Sequence, residues 1–207
     1  DTLIGGTGDD RLIGGEGSDT ADYSSESSKV IASLTGLNAQ GSSSGIDILS
    51  SIENITGTNL SGSADTIIGD DFANILKGLA GDDTITEDAG NDIVEGGAGN
   101  DYIYAGAGND IIDGDDTDTG TTNGTSDTLD FTLISINDDS GDTRDVDGTG
   151  SDTTTVDAYN GIEIDLSLTT AQRIHAEYGT DTITNIENVI GSNKNDYIQG
   201  TSGSNTL

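Results

Sequence analysis

Large aliphatic side chains recur singly along this chain, nine residues apart, between stretches rich in glycine and aspartate. The pattern is clearest over 78–113, where Ile85, Val94, Ile103 and Ile112 stand at the same place in successive units. A single inward-facing residue is what a three-residue strand provides, because side chains alternate between the two faces. The pattern therefore predicts short strands joined by tight turns, since helices need apolar residues three and four positions apart.

The nine-residue unit, or nonad, has the form G-G-x-G-x-D-x-U-x, in which U is a large aliphatic residue. Good copies occupy 5–13, 14–22, 78–86, 87–95, 96–104 and 105–113. Weaker copies occupy 60–68, 69–77, 191–199 and the truncated stretch 200–207. The aspartates are therefore placed at a fixed interval, which solvated acidic turns would not require.

Two nonads are predicted to complete one coil, so that each nonad stacks on the second one along the chain, about 4.8 Å away. The first six residues form a turn in which glycine adopts left-handed conformations and aims carbonyl oxygens inward. The stacking predicts the aspartate pairs Asp65–Asp83, Asp83–Asp101, Asp92–Asp110 and Asp1–Asp19.

Three positions disturb this pairing. Asp101 is expected to face Asp115 or Asp116, where the repeat dissolves, and Asp10 has no clear partner two nonads away. Asn74 stands where the upstream partner of Asp92 belongs, which predicts a weaker site there.

The composition makes a bound cation necessary. The chain has 39 acidic and 6 basic residues, a net charge of -33 and only 30% hydrophobic residues. Such a chain is expected to stay unfolded unless a cation neutralises the carboxylates and its binding drives folding. Calcium, which takes six to eight hard oxygen ligands in flexible geometry, suits a gap lined by carboxylates and carbonyls.

The predicted calcium ligands are the aspartates of the nonads and the glycines of their turns. The aspartates are Asp1, Asp10, Asp19, Asp65, Asp83, Asp92, Asp101, Asp110 and Asp196, with weaker contributions from Asn74, Asp115 and Asp116. The glycines are Gly6, Gly8, Gly15, Gly17, Gly81, Gly90, Gly97, Gly99, Gly106 and Gly108.

Two stretches without nonads, 23–59 and 114–190, resemble each other. Asp-Thr-Ala-Asp-Tyr at 19–23 matches Asp-Thr-Leu-Asp-Phe at 127–131, and both stretches contain an Ile-Glu-Asn segment before the nonads resume. We interpret the chain as two copies of a larger module, the second with an acidic loop over 135–160.

The expected order within one continuous solenoid is nonads at 1–22, strands at 23–59, a central roll at 60–113, acidic loop and strands at 114–190, and degenerate nonads at 191–207. Both ends cut a nonad, which suggests a fragment of a longer protein.

These nonads resemble those of the RTX (repeats-in-toxin) family. The resemblance implies an all-β, right-handed parallel β-roll that folds around several Ca²⁺ ions after type I secretion from a Gram-negative cell. The segments between the nonads resemble those of large adhesins and surface-layer proteins. Glu87 and Asp88 in place of the glycine pair, and Phe72 in place of a glycine, depart from the pattern.

The function expected from these features is structural: a calcium-rigidified adhesin stalk or surface-layer segment outside the cell or on its surface. Its expected partners are calcium, neighbouring repeats of the same chain and other copies on the cell surface. The alternative is a non-catalytic secretion and folding domain attached to an enzyme such as a protease or lipase. Ice binding ranks lower, because position seven mixes residue types instead of repeating one.

Catalysis and two partner classes are not expected. The chain has neither H-E-x-x-H nor G-x-S-x-G, and it has no cysteine for thiolate chemistry or disulfides. The acidic charge opposes nucleic acid, and no apolar run is long enough for membrane insertion. The one histidine, His175, is expected at the surface, within the sole plausible helical turn at 169–179.

Overall fold

The computed structural model describes residues 1–115, 126–133, 161–175 and 178–207. Within these residues every regular element is a β-strand, and most strands have only three or four residues. The first ten strands are β1 (Thr2–Leu3), β2 (Arg11–Ile13), β3 (Thr20–Asp22), β4 (Val30–Ser33), β5 (Asn38–Gly41), β6 (Gly45–Ser50), β7 (Asn54–Thr56), β8 (Thr66–Ile68), β9 (Ile75–Ala80) and β10 (Thr84–Thr86). The other nine are β11 (Ile93–Ala98), β12 (Tyr102–Tyr104), β13 (Ile111–Asp113), β14 (Thr128–Asp130), β15 (Glu163–Asp165), β16 (Gln172–His175), β17 (Gly179–Thr184), β18 (Asn188–Ile190) and β19 (Tyr197–Gln199).

Seventeen of these strands form two large sheets that enclose one core, and β15 and β19 form a separate two-stranded sheet. The first sheet has the order β1-β3-β7-β9-β11-β13-β17-β16, and the second has the order β18-β14-β12-β10-β8-β4-β5-β6-β2. From β8 to β14 the chain alternates between the two sheets, one short strand at a time, and the pairs within each sheet are parallel. This arrangement is the predicted parallel β-roll.

The strand register confirms that two nonads make one coil. Thr84 pairs with Tyr102, and Ile93 pairs with Ile111, each 18 residues further along the chain. The same step joins Thr2 to Thr20 near the start of the chain. Each strand residue of these nonads therefore stacks on the equivalent residue of the next coil.

The core is a column of the middle residues of these strands. Ile85, Ile103 and Ile112 in the central roll have no exposed surface, while their strand neighbours lie outside the core. Tyr23 and Phe131, which follow β3 and β14, are the largest fully buried side chains. Most strands place only one residue in the core, although β4 buries both Val30 and Ala32, so the apolar interior stays thin.

The stretch between the first nonads and the central roll inserts an antiparallel hairpin into the second sheet. β5 pairs antiparallel with both β4 and β6, while β6 pairs parallel with β2 and β4 pairs parallel with β8. Nonads therefore continue on both sides of the insertion without a break in the sheet. We call the segment from β3 to β8 the first cassette.

A second cassette, from β14 to β19, repeats these pairings, except that β15 does not pair with β16 as β4 pairs with β5. β3 pairs with β7 as β14 pairs with β18, and β4 pairs with β8 as β15 pairs with β19. β2 and β6 correspond to β13 and β17, and the antiparallel pair β5–β6 corresponds to β16–β17. The sequence similarity between the two stretches therefore reflects a shared topology. The acidic loop predicted at 135–160 lies outside the described residues.

The predictions for 169–179 and for His175 are wrong. Residues 172–175 form β16, because they pair antiparallel with β17 at the edge of the first sheet. This pairing places His175 opposite Gly179 and leaves only 6% of it exposed, with its ring 5.6 Å from that of Tyr178. No helix that could span a bilayer occurs among the residues described above.

The thin core predicts that alanine substitution of two adjacent isoleucines of β13 has very different effects on the free energy of unfolding. Ile112 is fully buried, whereas Ile111 is 50% exposed. We expect Ile112→Ala to lower the free energy of unfolding in saturating calcium by about 2–5 kcal/mol, because it leaves a cavity in the column. Ile111→Ala, which removes the same atoms from the outer face, should change it by no more than about 0.5 kcal/mol. Denaturant titration followed by circular dichroism measures both, and equal effects would contradict the column.

Candidate metal sites between stacked coils

A ladder of carboxylates joins each coil to the next. The backbone N–H of Asp65 donates to Oδ1 of Asp83 at 2.7 Å, and that of Asp83 donates to Oδ1 of Asp101 at 2.8 Å. On the other side of the roll, Asn74 and Asp92 donate in the same way to Asp92 and Asp110, both at 2.8 Å. One oxygen of each acceptor aspartate therefore holds the preceding coil in place.

The second oxygen of these aspartates is buried and has no hydrogen-bond partner. This holds for Oδ2 of Asp10, Asp19, Asp83, Asp92, Asp101 and Asp110. Buried polar atoms in proteins are almost always satisfied, so a run of six unsatisfied carboxylate oxygens requires an explanation. A cation between the coils provides one, since oxygen atoms of this kind are the ligands that calcium prefers.

The glycines of the turns bring the coils close enough for this arrangement. At Gly99, where φ is +151°, a Cβ atom would lie 1.7 Å from the carbonyl oxygen of Gly81 in the preceding coil. A Cβ atom at Gly108 would lie 1.5 Å from the carbonyl oxygen of Gly90. The turn can therefore stack only without side chains at these positions, and the carbonyl groups approach the next coil directly.

Burial raises the pKa of the ladder carboxyl groups. Loss of solvent is the main cause, with repulsion from the neighbouring carboxylates added, and it raises the pKa of Asp83 to about 6 and that of Asp92 to about 7. The pKa values of Asp101 and Asp181 rise to about 8 for the same two reasons. The protein fold thus disfavours the charged form that a cation would stabilise.

The structure brings together the predicted pairs Asp65–Asp83, Asp83–Asp101 and Asp92–Asp110 through the ladder. Near the start, the α-amino group of Asp1 lies 2.6 Å from Oδ1 of Asp19. The expected pairing of Asp101 with Asp115 is wrong, because the N–H of Asp101 donates to Asp127 at 2.7 Å. The N–H of Asp115 instead donates to Oδ1 of Asp113, and Asp116 lies outside the described residues.

Two predicted ligands differ from the other aspartates. Both oxygens of Asp65 accept backbone hydrogen bonds, from Val30 at 2.8 Å and from Thr58 at 2.6 Å. Oδ1 of Asp196 accepts from the backbone of Ile162 and from the hydroxyl of Ser192. These two carboxylates close the joins between each cassette and the nonads that follow it.

Acidic residues outside the nonads complete the ladder, and sequence reasoning missed them. Asp10 donates its N–H to Asp47 at 3.0 Å, and Asp110 donates to Asp181 at the same distance. Asp19 and Asp127 donate to Glu53 and Glu187, at 2.9 and 3.0 Å. The similarity of the two cassettes could have identified the acceptors, because it aligns Asp47 with Asp181 and Glu53 with Glu187.

The predicted glycine positions fall into two groups. Left-handed backbone angles occur at Gly6, Gly8, Gly15, Gly17, Gly81, Gly90, Gly97 and Gly99. Gly106 and Gly108 lack such an angle, but a Cβ atom at either would lie within 1.6 Å of a carbonyl oxygen of the preceding coil. Close stacking accounts for the six glycines from Gly81 to Gly108. The left-handed backbone accounts for the four glycines nearest the start, where a Cβ atom would have no heavy atom within 4 Å. The role of all ten as carbonyl ligands stays a prediction.

The fold and the ladder together define a class of protein: a parallel β-roll whose coils are stacked through buried, unneutralised carboxylates. The sequence profile of the RTX calcium-binding nonapeptide repeat matches four segments, 1–25, 61–86, 88–119 and 186–207, which make up just over half of the chain. The chain belongs to this RTX repeat family. No curated protein sequence matches it at a significant level.

Membership of the RTX repeat family indicates what the chain binds and which kind of protein it comes from. RTX repeats bind calcium, and the family is a structural module rather than a catalytic one. They occur in proteins that Gram-negative bacteria secrete. Glu87, Asp92 and Asp110 form a group whose carboxylate oxygens are close enough to hold a metal ion.

The raised pKa values predict that the calcium-free protein loses stability as pH rises. Aspartates in the unfolded chain titrate near pH 4, whereas Asp83 and Asp101 titrate near 6 and 8 in the folded protein. Between these values the folded state binds more protons, so the free energy of unfolding falls with increasing pH. Far-ultraviolet circular dichroism of metal-stripped protein should therefore show more β-structure at pH 5 than at pH 8. The opposite order would mean that the ladder carboxylates are not desolvated in the calcium-free fold.

Proposed function

We propose that the nonad aspartates and turn carbonyls bind calcium between coils, and that this binding folds and stiffens a structural segment of a secreted or cell-surface protein. The observation that carries the proposal is that the two oxygens of a ladder aspartate differ in the same way in several nonads. Oδ1 accepts a backbone N–H from the preceding coil, and Oδ2 is buried without a partner at Asp83, Asp92, Asp101 and Asp110.

The proposed mechanism couples binding to folding. In the unfolded chain the carboxylates are hydrated and far apart, so a preformed site does not exist there. Stacking of one coil on another brings two ladder aspartates and several carbonyl groups together, and the ion offsets the burial of their charge. Binding free energy thereby becomes folding free energy, which the thin core alone does not supply.

A role as an extender is supported by the two cassettes. Each cassette leaves the nonad pattern, forms an antiparallel hairpin and ends in a nonad strand that pairs parallel with a strand of the same cassette, β8 with β4 and β19 with β15. A roll that accommodates the same insertion twice can be lengthened by adding modules, which suits an adhesin stalk or a surface-layer segment. Calcium is abundant outside cells, so the segment would stiffen after export.

The first test is a calcium titration of metal-stripped protein at pH 7.5, followed by far-ultraviolet circular dichroism. We expect a cooperative transition from coil to β-structure between about 10⁻⁴ and 10⁻³ M calcium, the range of extracellular calcium modules. Magnesium is the control, because its strict octahedral geometry does not fit the flexible carbonyl-rich gap. A stripped chain that is already β-structured and indifferent to calcium would overturn the proposal.

A matched pair of variants tests the ladder aspartates themselves. Asp83→Asn retains an oxygen that can accept the N–H of Asp65 but removes the charge, whereas Asp71→Asn removes the same charge from an exposed turn. We expect Asp83→Asn to raise the calcium midpoint roughly tenfold, which corresponds to about 1.4 kcal/mol. Asp71→Asn should leave the midpoint within twofold of the wild-type value. Equal shifts would show that overall charge, and not ligation, sets the midpoint.

A further inference from the structure

Glu87 occupies a position that glycine holds in the other good nonads, except for Ala105. The reason for glycine is visible in the neighbouring coils. A Cβ atom at Gly78 would lie 2.6 Å from Oδ2 of Asp83, and one at Gly96 would lie 2.6 Å from Oδ2 of Asp101. The first position of a nonad therefore lies against the unpaired oxygen of that nonad's own aspartate. At Glu87 the chain places a third carboxylate in this position.

The Glu87 side chain is built into the roll. It has no exposed surface, and its Oε1 accepts the backbone N–H of Gly106 at 2.6 Å. Gly106 also makes room for it, because a Cβ atom there would lie 3.1 Å from Cγ of Glu87 and 1.6 Å from the carbonyl oxygen of Asp88. The orientation of Glu87 is thus fixed by the coil that follows it.

Three buried carboxyl groups, each with one unpaired oxygen, lie close together at this point. Oε2 of Glu87 and Oδ2 of both Asp92 and Asp110 are buried without a hydrogen-bond partner. The carboxylate oxygens that the three residues offer lie within 4.8 Å of one another, and each residue is at most 2% exposed. Among the residues that the structure describes, no other group of three acidic or histidine side chains meets this geometry.

We propose that Glu87, Asp92 and Asp110 form a cation site of a second kind, with three carboxylate ligands in place of a pair of aspartates and turn carbonyls. The site takes calcium, and its three negative charges favour a trivalent lanthanide ion over calcium more strongly than the ordinary nonad sites do. The inference rests on the proposed function, because Asp92 and Asp110 also belong to the ladder. It adds a ligand from a nonad position that is otherwise filled by glycine or alanine in the good copies.

The experiment compares four proteins: the wild type, Glu87→Gly, Glu87→Gln and Asp88→Gly. Glu87→Gly restores the glycine of the repeat, and Glu87→Gln keeps the size of the side chain without its charge. Asp88→Gly is the matched control, since it removes an exposed carboxylate from the adjacent residue, where φ is +71°. Circular dichroism in saturating calcium establishes that each protein is folded, and calorimetric titration then gives the number of calcium ions and their affinities at pH 7.5. Terbium luminescence, with calcium as competitor, measures the lanthanide preference.

We expect both Glu87 variants to lose one calcium ion, or to bind one ion at least tenfold more weakly, while Asp88→Gly binds as the wild type does. The tightest terbium site should disappear with the same ion. Unchanged ion number, affinity and terbium binding in both Glu87 variants would overturn this site alone and leave Glu87 as a buried side chain without a ligand role. Absence of calcium binding by the wild-type protein would overturn the proposed function and this site with it.

Discussion

Carboxylate groups buried between coils, without a countercharge from the protein, are the constraint on which the rest of this structure depends. Each ladder aspartate has two tasks: Oδ1 fixes the backbone of the neighbouring coil, and Oδ2 lies buried and unpaired in the turn region. The six basic residues of the chain cannot neutralise 39 acidic ones. Burial opposes the charged form of Asp83 and Asp101 and therefore raises the pKa of both groups.

Several other features follow from this stacking. The coils lie so close that a side chain at Gly99 or Gly108 would meet a carbonyl group of the coil before it. Strands of about three residues allow only one residue each to reach the interior, as Ile85 and Ile103 do. A protein built this way gains little from its apolar core, so the ion that joins the coils becomes part of the fold rather than an addition to it.

The cassettes show how the stack tolerates a change of topology. When the nonad pattern stops, each of the last two ladder aspartates still needs an acceptor for its backbone N–H. Asp47 and Glu53 supply it in the first cassette, and Asp181 and Glu187 supply it in the second. Acidic residues of the inserted segments thus continue the ladder across both cassettes. Glu87 changes the ladder differently, by adding a carboxylate within a coil.

The sequence by itself determined the all-β roll, the two-nonad coil and the pairs Asp83–Asp101 and Asp92–Asp110, because all of these depend on local spacing that repeats without interruption. Only the tertiary structure decided which residues complete the ladder where the repeat stops. Asp127 replaces Asp115 as the partner of Asp101, since the chain re-enters the sheet at β14. The sequence likewise did not predict the strand that contains His175, because this segment becomes a strand only by pairing with β17. Spacing fixes contacts between successive repeats, whereas contacts made across an insertion depend on where the fold brings the chain back.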